Sequence, residues 1–289
     1  MARISRKNIE EIFIEALLQA ETELPKDVIQ ALKKAATKEK GLAKIQLEAI
    51  LENIKIAAKE SIPMCQDTGI MSFYIEVGAE FEYLADLKEI LESALKRATK
   101  EIPLRPNTVN PFTGKNSGDN TGMNIPHITW EIKSGKECTI HIMPKGGGSE
   151  NMSELWMLNP GNGLTEAKKL IVKHIINAGG KPCPPTIVGI GIGGGADICI
   201  QLAKKALLRK IGERHIENKI ANMEKEMLIL INKSGVGPMG IGGKTTVLDV
   251  HIEYAHRHPA SFPVGLVLQC WANRRKVIKF ERNGSIKVI

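Results

Sequence analysis

Aromatic residues are scarce in this chain, at 4% of its 289 positions, and no apolar run is long enough to span a bilayer. The longest weakly polar stretch, Thr186 to Ile200, is crowded with glycine and broken by Asp197, so no membrane association is expected. The N-terminus lacks an apolar core and a small-residue cleavage site, so no secretion signal is expected either. Only five cysteines occur, Cys65, Cys138, Cys183, Cys199 and Cys270, too few and too scattered for a disulfide scaffold. A reducing cytoplasm suits that usage. No Cys-x-x-Cys pair occurs, which argues against structural zinc and ferredoxin-type clusters. Internal repeats, low-complexity linkers and composition breaks are also missing, and a single domain over residues 1–289 is expected.

What is abundant is positive charge. Forty basic residues against 32 acidic ones give a net charge of +8, compatible with nucleic acid, an acidic partner or an anionic substrate. The few aromatics and the short, separate clusters Lys33-Lys34, Lys204-Lys205 and Arg274-Arg275-Lys276 argue against nucleic acid.

Hydrophobic periodicity predicts an α+β fold: mixed sheets with an N-terminal helical segment and surrounding helices. Ile9, Ile12, Phe13, Ala16, Leu17 and Ala20 mark the face of a first helix, with Asn8 and Glu11 as its capping box. Two more helical stripes follow before residue 60, and Met71, Phe73, Ile75 and Val77 then alternate as a strand. A helix is expected near Leu84 to Ala98, and Pro103 to Gly122 forms a long polar loop, of a length that is usually functional or disordered. Ile128–Ile132 and Cys138–Ile142 read as strands paired around the Lys133–Lys136 turn. Further helices are expected at Thr165–Ala178, Ile198–Leu208 and His215–Ile231, and strands at Thr186–Ile192, Leu248–Tyr254 and Phe262–Leu268. A terminal hairpin turns at Asn283-Gly284.

Polar and glycine-rich loops beside these elements are where chemistry is expected. Cys65-Gln-Asp67-Thr-Gly69 reads as a nucleophile, a metal ligand or simply a turn. Gly146-Gly-Gly148 allows close main-chain approach to an anion. Gly189-Ile-Gly191-Ile-Gly-Gly194 satisfies the dinucleotide pattern between a strand and a helix, which raises a nicotinamide-dependent dehydrogenase. The acidic residue required some twenty positions later is missing, and a tight strand-to-helix turn is the alternative. Pro238-Met-Gly-Ile-Gly-Gly-Lys244-Thr245 approaches a phosphate loop, but a strand follows it where a helix is required. Cys65, Cys183 and Cys270 each occupy an unusual loop at a strand edge, whereas Cys138 and Cys199 sit in apolar alternation like core residues. Three thiolates from distant loops can hold a four-iron cluster with one iron left open as a Lewis acid.

Five motifs in order carry a family resemblance. Pro-Met-Cys-Gln-Asp-Thr-Gly, Asn-Thr-Gly-Met-Asn-Ile-Pro, Pro-Lys-Gly-Gly-Gly-Ser-Glu-Asn-Met, Lys-Pro-Cys-Pro-Pro, and His-Pro-Ala-Ser-Phe-Pro-Val before Leu-Gln-Cys span Met64 to Cys270. They resemble the N-terminal half, or separate α subunit, of class I iron-sulfur fumarate hydratases, kin to the L-tartrate dehydratase α subunit. The resemblance implies reversible hydration of fumarate to malate, a tricarboxylic acid cycle step, or as alternative dehydration of L-tartrate. It also implies a [4Fe-4S] cluster on Cys65, Cys183 and Cys270. Asp67 matches the residue assigned to proton transfer at the leaving hydroxyl, and His258 the histidine that hydrogen-bonds it. Gln66, Arg105 and Gly148 match substrate contacts, the arginine on a carboxylate. Both Asn116-Ser-Gly and Asn120-Thr-Gly resemble the family's Asn-Thr-Gly motif. The resemblance further implies a β subunit that completes the site, within a higher hetero-oligomer.

Overall fold

The structure, a computed structural model, describes residues 4–289. The helices are α1 (Arg6–Thr22), α2 (Lys26–Lys38), α3 (Gly41–Glu60), α4 (Leu87–Glu101), the single turn α5 (Gly147–Glu150), α6 (Gly163–Ala178), α7 (Ala196–Ala206) and α8 (Asn218–Asn232). The strands are β1 (Ile70–Gly78), β2 (His127–Lys133), β3 (Cys138–Lys145), β4 (Glu154–Leu158), β5 (Thr186–Gly194), β6 (Val247–Arg257), β7 (Phe262–Gln269), β8 (Lys276–Phe280) and β9 (Ile286–Val288). This is an α+β fold with a helical N-terminal segment. None of the described helices is long and apolar enough to cross a membrane.

Two compact units share these elements. The first takes Met1–Pro25, Asn53–Gly146 and Arg274–Ile289; the second takes Lys26–Glu52 and Gly147–Asn273.

In the first unit a five-stranded sheet runs in the order β2-β1-β3-β8-β9. Its core joins Ile9, Phe13 and Leu17 of α1 and Ile90, Leu91 and Leu95 of α4 to Phe73, Ile75, Ile140 and Ile278 of the sheet. Helix α1 starts earlier than the expected capping box: Ser5 is the N-cap, its Oγ accepting from the Asn8 N–H at 3.2 Å. Nor do β2 and β3 pair with each other. β1 lies between them, parallel to β2 and antiparallel to β3. The connecting turn holds β1 there, because the carbonyls of Lys133, Gly135 and Glu137 accept from the amides of Ala79, Glu80 and Gly78. A Cβ on Gly78 would fall 2.0 Å from the Gly135 carbonyl oxygen, so only glycine admits the turn.

The second unit is built on a four-stranded sheet in the order β4-β7-β5-β6, with β5 parallel to β6 and antiparallel to β7. Val188, Ile190, Val264 and Leu266 pack with Ile171 and Ile175 of α6 and Met227 and Ile231 of α8. The intervening Gly189, Gly191 and Gly265 lie against the α7 main chain. Added Cβ atoms at Gly189 and Gly191 would fall 2.1 and 1.9 Å from the carbonyl oxygens of Ala203 and Cys199. The dinucleotide-like glycines are therefore accounted for by close strand-to-helix packing. Strand β4, which periodicity missed, is half-exposed along its length and forms the sheet's edge.

Candidate active site

Within the first unit, Cys65 to Gly69 link α3 to β1 as an irregular loop whose hydrogen bonds converge on Asp67. Asp67 Oδ1 accepts from the Gly69 N–H at 2.9 Å, an Asx turn that closes the loop on itself. Asn107 Nδ2 donates to the Gly69 carbonyl at 3.1 Å and to Asp67 Oδ1 at 3.4 Å. Gly69 has φ +77°, and a Cβ there would meet the Lys145 main chain at 2.8 Å. Gly146 closes the other side, where a Cβ would stand 3.0 Å from Asp67 Oδ2.

Arg105 is tied to this loop through its own main chain. Its carbonyl accepts from Thr68 Oγ1 at 3.3 Å and from Asn120 Nδ2 at 3.2 Å. Asn120, buried at φ +59°, also accepts the Asn107 N–H at 2.7 Å through Oδ1. Asn116, by contrast, is exposed and donates to the Pro106 carbonyl. Of the two Asn motifs, the one at Asn120 thus braces Arg105, whose own side chain is exposed together with Gln66. Cys65, Gln66, Asp67 and Arg105 are brought together on two interlocked loops.

Beneath them lies a pair that no motif announced. Arg274 and Glu21 are 1% and 0% exposed. Arg274 Nη1 donates to Glu21 Oε2 at 2.5 Å and Nη2 to the Asp67 main-chain carbonyl at 3.0 Å. Burial pushes the Glu21 carboxyl up to about 7; the Arg274 guanidinium pulls it down, and the nearby Asp67 charge adds to the rise.

In the second unit Cys183 and Cys270 occupy adjoining loops. The Trp271 N–H donates to the Cys183 carbonyl at 3.2 Å, and Cys183 adopts φ +54°. The Gly-rich segment after α8 supports this turn: the Met239 N–H donates to the Pro184 carbonyl, and a Cβ on Gly240 would stand 2.6 Å from the Gly180 Cα. That segment leads into β6; close packing accounts for Gly240 and Gly243, and a φ of +91° for Gly242. Gly148, in the exposed first turn of α5, lies by the same loop, its Cβ position 3.2 Å from the Lys181 carbonyl oxygen.

His258 is elsewhere in this unit. It follows β6, exposed, on the turn into β7, and its Nδ1 accepts from the Ala260 N–H at 3.1 Å. A neutral imidazole so held carries its proton on Nε2. Cys270 follows the opposite end of β7, so the strand separates the two.

The donor set suits a sulfur-ligated cluster in kind. Cys65, Cys183 and Cys270 are half-buried and in loops, while Cys138 and Cys199 are buried. Burial pushes the Cys138 thiol up to about 12 and raises that of Cys199, which keeps both protonated. Asn273, fully buried three residues beyond Cys270, has neither side-chain amide atom hydrogen-bonded within the described residues. That leaves polar capacity for a non-protein group. Among the described residues no three His, Cys, Asp or Glu side chains are gathered as a metal site.

The family described as Fumarate hydratase (Fumerase) matches residues 10–279. The chain therefore belongs to the fumarate hydratase family, a class of hydro-lyases. It is 48% identical, over 96% of its length and 99% of the relative's, to a Methanocaldococcus jannaschii protein named "Putative L(+)-tartrate dehydratase subunit alpha". It is also 36% identical to the L(+)-tartrate dehydratase subunit alpha of Escherichia coli K12, over 88% of this chain and 84% of that one.

Proposed function

We propose that this chain is the α-type subunit of a hydro-lyase acting on a four-carbon dicarboxylate, its two units being lobes of one α-type domain over residues 1–289. The observation that carries this reading is the interlock of Asp67 with Arg105 through Thr68, Asn107 and Asn120. It ties the loop that carries the Asp67 carboxylate to the main chain from which the Arg105 side chain extends. Fumarate hydration to malate is the first reading, after the family; L-tartrate dehydration is the second, favoured by the names of the relatives matched along most of the chain.

Cys65, Cys183 and Cys270 would hold a [4Fe-4S] cluster, which when bound supplies a Lewis-acidic iron toward the substrate hydroxyl. The remaining roles belong to the chain itself. Arg105 grips one substrate carboxylate by paired N–H donors, with Gln66 beside it and the Gly148 amide approaching closely because no side chain intervenes. Asp67, fixed at Oδ1 by the Gly69 amide, gives a proton to the departing hydroxyl and takes it back in the hydration direction. His258, with Nε2–H outward, donates to that carboxylate. Contacts to the second substrate carboxylate and the base at carbon have no matching motif here, and a β subunit supplies them; a cytoplasmic setting suits so few and scattered cysteines. Anaerobic assay of the two-chain complex with fumarate, malate and L-tartrate tests the reading. Turnover of one of them is expected; inertness toward all three, with iron bound, overturns it.

A further inference from the structure

Within the second unit, helix α2 borders a cavity of about 400 Å³. Ala31, Lys34, Ala35 and Lys38 follow one another at i, i+3, i+4 and i+7, so α2 presents a single stripe to it. Val247 and Leu248 of β6 supply an apolar wall. The segment Pro238–Thr245, whose phosphate-loop pattern is broken by the strand that follows, brings Lys244 to the same cavity. An apolar floor thus meets a cationic rim, in a space of the size that small molecules occupy.

The rim is not neutralised from within. Lys34, Lys38 and Lys244 are exposed, and among the described residues no ion pair or side-chain hydrogen bond engages their ammonium groups. The acidic groups around them are turned onto other donors. Asp249, fully buried, accepts the Gly212 N–H at 2.6 Å and pairs with Arg214. Glu39, also buried, accepts the Lys244 N–H on both carboxylate oxygens, at 2.9 and 3.0 Å. Asp27 accepts the Ile211 N–H at 2.8 Å. Lys34 and Lys38, one turn apart on α2, repel each other, and an anion bound between them removes that repulsion.

We propose that this cavity binds a nucleoside diphosphate, with its phosphates on Lys34, Lys38 and Lys244 and its base ring against the apolar floor. At neutral pH such a diphosphate carries a charge of about −3, which three ammonium groups balance. Lysine meets phosphate as a point charge, so flexible side chains from two elements suffice. The proposal does not depend on the roles given to Asp67 and the three cysteines.

Equilibrium dialysis of radiolabelled ADP against the purified full-length protein tests it. Wild type should bind ADP, and Lys34→Ser/Lys38→Ser and Lys244→Ser should each weaken binding by about tenfold or more, the scale of a lost charged contact. Lys169→Ser/Lys173→Ser, which removes the same charge from the exposed side of α6, should bind as wild type does. Absence of ADP binding overturns the proposal, and so does equal weakening by the α6 control. Pyrophosphate binding as tightly as ADP overturns the nucleoside assignment, because the floor then contributes nothing. Photolabelling of wild type with azido-ADP needs no variant: label should fall on α2 or the start of β6, and label confined to other segments overturns the proposal.

Discussion

Arg274 donates through Nη2 to the main-chain carbonyl of Asp67 at 3.0 Å, across 207 positions of sequence. Its other terminal nitrogen is held by Glu21, so one planar fork joins α1, the Asp67 loop and the segment after Cys270. Lysine cannot reproduce two such directed donors. Arg274→Ala should destabilise the protein by roughly 2–5 kcal/mol, since it opens a buried cavity and leaves the Glu21 carboxyl and the Asp67 carbonyl without their donor. Glu21→Gln keeps an acceptor oxygen and should be much milder. Urea unfolding of both variants checks the order, and an Arg274→Ala protein as stable as wild type would show that the pair carries no stability.

The same pair sets a pH dependence. Glu21 holds its proton up to about pH 7 when folded but releases it near the ordinary 4.5 when unfolded. Between those values the folded state binds more protons, so this group's contribution falls as pH rises and is fully unfavourable above about 7. Thermal midpoints of wild type and Glu21→Gln, followed from pH 5 to 8, should diverge in favour of the variant as pH rises. Parallel curves would contradict the assignment.

The glycine segment behind Cys183 should matter as much as the thiol. Gly240 has φ +76°, and a Cβ there meets the Gly180 backbone at 2.6 Å, so Gly240→Ala must shift the turn that presents Cys183. Iron content after anaerobic reconstitution should fall although every cysteine is intact; full iron content would show that the turn tolerates the shift.

Ligand assignment separates the five cysteines. Cys65→Ser, Cys183→Ser and Cys270→Ser should each lose stable cluster binding, while Cys138→Ser and Cys199→Ser keep it, since these two are buried in β3 and α7. Iron and sulfide analysis decides each one, and full iron in any of the first three removes that ligand.

Local signals in the sequence reach as far as local physics does. The stripes of α1, α4, α6 and α8 and the Asn283-Gly284 hairpin are legible because periodicity and turn chemistry are properties of neighbouring residues. The position of β1 between β2 and β3 is not, because it depends on carbonyls of residues 133–137 meeting amides more than 50 positions earlier. β4 escapes notice because Leu155 and Met157 are apolar yet exposed, which erases the alternation. In the site, the Cys-Gln-Asp and Pro-Leu-Arg motifs are visible as resemblance, whereas Glu21 and Arg274 are 253 positions apart and share no motif. Asn107 is equally silent: its bonds to the Asp67 loop span 38 to 40 positions.

The central claim is that Asp67 moves the proton of a hydration reaction at a site this chain shares with a second subunit. Turnover of fumarate, malate and L-tartrate by the iron-loaded two-chain complex, compared between wild type and Asp67→Asn, tests it most directly. The account predicts an unchanged cluster spectrum in the variant and a kcat lower by about two to four powers of ten, the scale of a lost general acid. Normal turnover by Asp67→Asn would contradict it.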